Sequence, residues 1–125
     1  MTNKHVLLID DEEDIREIAQ LSLEMIANWE VSVASSGREG IERAKEIMPD
    51  AILLDVMMPD MDGITTFKEL QANPNLQKLP VIFLTAKVQP TETRTLQELG
   101  VGYISKPFDP LQLASQVAEI LCWKL

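Results

Sequence analysis

Short apolar runs, each halted by polar residues, alternate along the chain with longer stretches in which apolar residues recur every three or four positions. Val6-Leu7-Leu8-Ile9 is the first run, stopped by Asp10-Asp11. Ile15, Ile18, Ala19, Ser22, Met25 and Ile26 then form the apolar stripe of an amphipathic helix. Asp11 is a suitable N-cap, and Glu12, Glu13 and Asp14 suit the positive end of the helix dipole. Val31 to Ala34 predicts a second strand, and Ser35-Ser36-Gly37 a turn. Ile41, Ala44, Ile47 and Met48 mark a second helix, ended by Pro49. Ala51 to Leu54 is a third strand stopped by Asp55, and the segment from Val56 to Gly63 reads as a loop. Ile64, Phe67 and Leu70 predict a third helix, ended by Asn73-Pro74-Asn75. Val81 to Leu84 is a fourth strand stopped by Thr85. The helix that follows, Thr91 to Leu99, has a thin stripe of little beyond Leu96 and Leu99, and it ends at Gly100. Tyr103-Ile104-Ser105 is a short fifth strand stopped by Lys106-Pro107. Leu111, Ala114, Val117, Ala118 and Leu121 give the last helix.

Strand and helix thus alternate five times. A helical crossover returns the chain to the same end of the sheet, so the strands run parallel. They are apolar at consecutive positions, so helices cover both faces. The pattern predicts an α/β fold: a doubly wound, five-stranded parallel sheet flanked by five helices. No linker or repeat divides residues 1–125, which read as one domain.

Composition narrows the function classes. The net charge of −9 repels nucleic acid phosphates, so direct DNA binding by this chain is not expected. No apolar run approaches the roughly 20 residues that span a bilayer. No signal peptide precedes the first strand, and a cytoplasmic location follows by default. The lone Cys122 has no partner for an internal disulfide and reads as a small packed residue of the last helix.

The residues that stop the strands carry the chemistry. In a doubly wound sheet, ligands bind outside the carboxyl ends of the strands. Asp10 and Asp11 end the first strand, Asp55 the third, Thr85 the fourth and Lys106 the fifth. Three carboxylates, a hydroxyl and an ammonium are therefore expected in one cleft. Crowded carboxylates repel unless a positive charge sits among them. Magnesium, a hard cation that prefers oxygen ligands, fits there. A cation and a lysine facing a carboxylate form an arrangement for phosphoryl transfer. Asp60 reads as a solvated loop charge, Asp62-Gly63 as turn chemistry, and Met57 and Met58 as packing residues.

These residues resemble the receiver domain of two-component response regulators, typified by the chemotaxis protein CheY. The resemblance covers essentially the whole chain. The segment Asp55-Val-Met-Met-Pro-Asp-Met-Asp-Gly63 is similar to the family's phosphorylation motif, and Asp10-Asp11, Thr85-Ala86 and Lys106-Pro107-Phe108 follow in the expected order. The resemblance implies a flavodoxin-like sheet of strand order 2-1-3-4-5. It implies Asp55 as phosphoacceptor, supplied by the phosphohistidine of a sensor histidine kinase or a phosphotransfer protein. Asp11, Asp55 and the main-chain carbonyl of Met57 are implied as Mg²⁺ ligands, with Asp10 acting through a metal-bound water. Lys106 is implied to contact the phosphoryl group, across a cis bond to Pro107. Thr85 and Tyr103 are implied as a switch pair that alters the face of the fourth helix, fifth strand and fifth helix toward a downstream target or output domain. Met57 and Lys87 match the positions that tune dephosphorylation, and an apolar Met57 side chain is expected to shield the acyl phosphate.

Two other readings share the architecture. A haloacid-dehalogenase-like aspartyl-phosphate phosphatase needs an Asp-x-Asp pattern after the first strand, and Asp10-Asp11-Glu12 lacks it. A nucleotide or flavin site needs a Gly- or Ser/Thr-rich loop there, and Asp-Asp-Glu-Glu has the wrong charge. A signalling module, not an enzyme acting on external substrates, is the favoured reading. Both a complete single-domain regulator and a receiver from a longer chain fit the sequence.

Overall fold

The computed structural model describes residues 4–86 and 90–125. Its elements are β1 (His5–Ile9), α1 (Glu13–Ala27), β2 (Glu30–Ala34), α2 (Gly37–Ile47), β3 (Ala51–Asp55), α3 (Gly63–Ala72), β4 (Val81–Thr85), α4 (Pro90–Leu99), β5 (Gly102–Ser105) and α5 (Leu113–Leu121). All strand pairings are parallel, in the order β2-β1-β3-β4-β5. The expected doubly wound α/β sheet and its order are both present. Among the described residues, no helix is long and apolar enough to cross a membrane.

The strands are apolar at consecutive positions because each face packs into its own core. Val6, Leu8, Leu53, Leu84 and Ile104 point toward α1 and α5, where they meet Ala19, Leu23, Leu113 and Val117. Leu7, Ile9, Ile52, Leu54 and Phe83 point the other way, toward Ile41, Phe67, Leu70 and Leu96. Phe67 and Phe83 touch at a tilt, their centroids 5.5 Å apart.

Several expectations are corrected. The buried side of α1 is Ala19, Ser22 and Leu23, while Ile18, Met25 and Ile26 of the expected stripe are exposed, Met25 at 75%. Asp11 is not the N-cap: Glu12 takes that position without a side-chain bond, and Asp10 Oδ1 accepts the Glu12 N–H at 2.9 Å. Met48 is not a core residue of α2 but its left-handed C-cap, substantially exposed. Leu111 is 71% exposed because Asp109 holds a turn, accepting the Leu111 N–H at Oδ1, and α5 starts only at Leu113. Cys122 is exposed and is the left-handed C-cap of α5.

Candidate functional site

The first three site residues owe their position to sheet register. Ile9 pairs with Leu54, so Asp10 and Asp55 leave adjacent strands side by side. The Asp10 N–H donates to the Ala34 carbonyl at 3.1 Å, and the Val56 N–H to Leu84 at 3.0 Å, which anchors both exits to neighbouring strands. Lys106 follows β5, and its N–H donates to the Thr85 carbonyl at 2.7 Å. The Lys106–Pro107 bond is cis, as the resemblance implied.

Alternation along the strands sorts the side chains by face. Asp10 and Asp55 continue the parity of Leu8 and Leu53, the α1–α5 side, and Lys106 continues that of Ile104. Thr85 shares the parity of Phe83, whose partner across the ladder is Tyr103. Tyr103 packs partly buried against the α2–α4 core, and Thr85 is itself buried. By this parity Asp10, Asp55 and Lys106 leave the carboxyl edge of the sheet toward one side and Thr85 and Tyr103 toward the other, while Asp11, one residue on, reaches back to the same carboxylates.

Within the cluster, Asp10 has no exposure at all, and Asp55 is nearly as buried. One carboxylate oxygen from each of Asp10, Asp11 and Asp55 lies within 4.8 Å of the others. Lys106 Nζ stands 2.6 Å from Asp10 Oδ2 and 3.2 Å from Asp55 Oδ1. Asp55 Oδ1 also accepts the Met57 N–H at 3.3 Å. Oδ2 of Asp55 and Oδ1 of Asp11 are shielded from solvent and have no hydrogen-bond partner.

Burial, then the negative charge of Asp10, raises the Asp55 carboxyl to about 6, against the opposing pull of Lys106. Burial works against the charged form of Lys106, but hydrogen bonds and charge from Asp10, then from Asp55, outweigh it and hold the ammonium above the usual lysine range. Among the described residues, one cation, Lys106, forms ion pairs with these crowded carboxylates. Shielded carboxylate oxygens without partners, in an all-oxygen donor set, fit a hard divalent ion such as Mg²⁺.

The loop after β3 frames the cleft. Gly63 is required by space: a Cβ there would stand 2.3 Å from the Asp55 carbonyl oxygen and 2.8 Å from Val56 Cα. Its N–H donates to the Val56 carbonyl at 2.9 Å, closing the loop onto the end of β3. Asp62 is the N-cap of α3, accepting the Thr65 N–H at 2.8 Å, and this bond lowers its carboxyl below the usual range. Asp60 is exposed, with left-handed backbone. Met58 packs in the core, but the Met57 side chain is 73% exposed beside the cleft. Lys87 lies outside the described residues.

One contact escaped the sequence reading. Nη1 of Arg16, on the first turns of α1, donates to the Asp10 carbonyl at 2.9 Å. The only signal was a basic residue six positions after an acidic strand end, which no periodicity marks.

The chain matches the response regulator receiver domain over residues 6–118. It is 40% identical to the alkaline phosphatase synthesis transcriptional regulatory protein PhoP of Bacillus subtilis, over 95% of this chain and 49% of that protein. It is 36% identical to the phosphate regulon transcriptional regulatory protein PhoB of Pseudomonas aeruginosa, over 97% of this chain and 53% of that one. The chain therefore spans about half the length of the curated relatives it matches. Among solved structures, the chemotaxis protein CheY4 of Vibrio cholerae superposes with a TM-score of 0.88 at 28% identity, covering 95% of this chain and 99% of that one. A match across nearly all the sheet and helices, with acids and a lysine converging at the strand ends, means that this chain belongs to the receiver domains of two-component response regulators.

Proposed function

We propose that Asp55 is the phosphoacceptor of a single receiver domain formed by residues 1–125, and that Asp10, Asp11, Asp55 and the Met57 carbonyl form its Mg²⁺ site. Receiver domains bind Mg²⁺ at an acidic pocket, and the clustered aspartates here match that chemistry. The observation that carries the reading is the state of Asp55. Its Oδ1 is tied to Lys106 and the Met57 N–H, while Oδ2 is shielded and keeps its lone pairs free.

In this reading the donor is the phosphohistidine of a sensor histidine kinase or phosphotransfer protein. The Asp55 carboxylate attacks phosphorus, the phosphorus–nitrogen bond breaks, and its electron pair returns to the ring nitrogen, so that the imidazolium, protonated at its other nitrogen, leaves as neutral imidazole. The bound cation supplies charge neutralisation at the phosphoryl oxygens. Lys106 follows the transferred group, exchanging a carboxylate oxygen of Asp55 for a phosphoryl oxygen. Thr85, on the opposite face, donates its hydroxyl toward the phosphoryl group, and Tyr103 fills the space left behind. This biases α4, β5 and α5 toward a partner-binding form, a population shift driven by a few new contacts.

The chain acts on no external substrate; it assists only its own phosphorylation and dephosphorylation. Its output is a protein contact, to a downstream target or to an output domain of the kind that the longer relatives have room for. Direct binding to nucleic acid or membrane is not part of this reading.

Incubation with acetyl phosphate, with and without Mg²⁺, tests it by intact mass. One added phosphoryl group is expected, dependent on the cation and absent in Asp55→Ala. Labelling without a divalent ion, or labelling that persists in the variant, would refute it. Repeated turnover of a generic phosphate ester would instead favour the phosphatase reading.

A further inference from the structure

We propose that Arg16 is a positioning residue for the cation site, setting the Asp11 carboxylate through the main chain of Asp10. The inference rests on reading Asp10, Asp11 and Asp55 as that site.

Asp10 is held at every polar atom. Its N–H donates to Ala34 of β2, its Oδ1 accepts from Glu12, and its Oδ2 pairs with Lys106 after β5. Its carbonyl lies past the last ladder pair of β1, and Arg16 of α1 is its partner at 2.9 Å. A buried carbonyl without a partner is costly, so this bond has structural reason to persist.

Asp11 is the contrary case. Its Oδ1 is shielded and has no hydrogen-bond partner. With no N–H donor or cation to fix it and only the carboxylates of Asp10 and Asp55 beside it, the placement of that oxygen follows the backbone that carries it. The peptide joining Asp10 to Asp11 includes the carbonyl that Arg16 holds, and the Glu12 N–H on the far side of Asp11 is held by Asp10 Oδ1. Both flanking peptide planes are pinned, one by the guanidinium and one by a carboxylate. Without the guanidinium, the plane between Asp10 and Asp11 gains freedom to rotate, and the Asp11 carboxylate moves with it. Outer partners of metal ligands commonly change metal affinity by about 10–100-fold when removed.

The test uses Mn²⁺ as the probe, its free concentration read by electron paramagnetic resonance, on the wild type, Arg16→Met and Arg16→Lys. Metal-free thermal unfolding of each variant is measured alongside. Arg16→Met is expected to weaken Mn²⁺ binding about tenfold, equally at low and high ionic strength. Arg16→Lys, whose ammonium also donates to a carbonyl, is expected to recover most of the affinity. Unchanged binding in Arg16→Met overturns the inference. So does a gain in affinity that disappears in high salt, which marks only the removal of a repelling charge and not placement. If Arg16→Met does not fold, Arg16→Gln decides, because its shorter side chain does not span the same distance: weaker Mn²⁺ binding at wild-type stability supports the inference, and unchanged binding overturns it. A wild type that binds no Mn²⁺ removes the cation site and this inference together. A wild type that binds while Arg16→Met binds equally well removes the inference alone.

Discussion

Lys106 Nζ stands closer to Oδ2 of Asp10, at 2.6 Å, than to the carboxylate of Asp55. Asp10 is fully buried, so this ammonium is its counter-charge in the metal-free protein. In the proposed transfer the lysine therefore starts from Asp10, with Asp55 Oδ1 already within 3.2 Å.

Lys106→Met should destabilise the metal-free protein by about 3 kcal/mol at neutral pH, the scale for stripping one partner from a buried ion pair. Urea unfolding measures it. Without the lowering pull of the lysine, the Asp55 carboxyl takes up a proton more readily, so the loss should shrink as pH falls toward 5. A loss that is constant with pH would point to lost packing of the lysine stem.

Asp55→Asn should stabilise the metal-free protein above pH 6. The folded-state carboxyl is raised to about 6 from an ordinary 3.8. Below the lower value both states are protonated and the group contributes nothing. Between the two, the unfolded chain releases its proton while the folded one must keep it, so stability falls as pH rises. Asparagine removes that loss. Melting temperatures of the two proteins should converge near pH 4 and separate fully above pH 6, and added Mg²⁺ should stabilise the wild type alone. Curves that stay parallel across this range would contradict the assignment.

Gly63→Ala should cost about 1–3 kcal/mol, the usual penalty of overpacking. The atoms that a methyl group meets are the main chain of Asp55 and Val56, which have no rotamer by which to retreat. The same displacement should slow phosphoryl uptake from acetyl phosphate more than Asp62→Ala, which loses only a helix cap. Equal effects in the two variants would mean that the loop tolerates the methyl group.

Trp123→Ala should lower stability by about 2 kcal/mol and leave phosphorylation untouched. Trp123 meets Trp29 edge-on, centroids 5.2 Å apart, and Lys4 Nζ lies 4.9 Å from its ring centroid. This clasp sits beside the start of β2, at the amino end of the sheet, away from Asp55. A change in phosphorylation rate in this variant would reveal coupling along the length of the strands.

The site was legible because each of its residues is also the one that breaks an apolar run. Asp10, Asp55, Thr85 and Lys106 announce themselves as strand ends, and parallel topology brings all such ends to one edge. The orientation of α1 was not legible, because Ile15, Ile18, Leu21, Leu23, Met25 and Ile26 spread over more than half of the helix circumference, and periodicity alone does not choose which part of that arc is buried. Tertiary packing chose small Ala19 and Ser22 with Leu23, which bring the helix close to the sheet. Asp11 was misread as a cap because the acid that serves the first turn is its neighbour, reaching back from inside the cluster. The start of α5 was misplaced because Asp109 builds a turn that uses up the residues next to Pro110.

The parity of the strand ends sends Asp10, Asp55 and Lys106 to one side of an edge one backbone thick, and Thr85 and Tyr103 to the other. Its most direct crossing is the main-chain bond by which Lys106 hangs from Thr85. In the proposed switch, a pull on the ammonium has this peptide link as a second route to the far side, beside the one taken by the Thr85 hydroxyl. The strand next door is then joined to the lysine by its own backbone before any side chain moves.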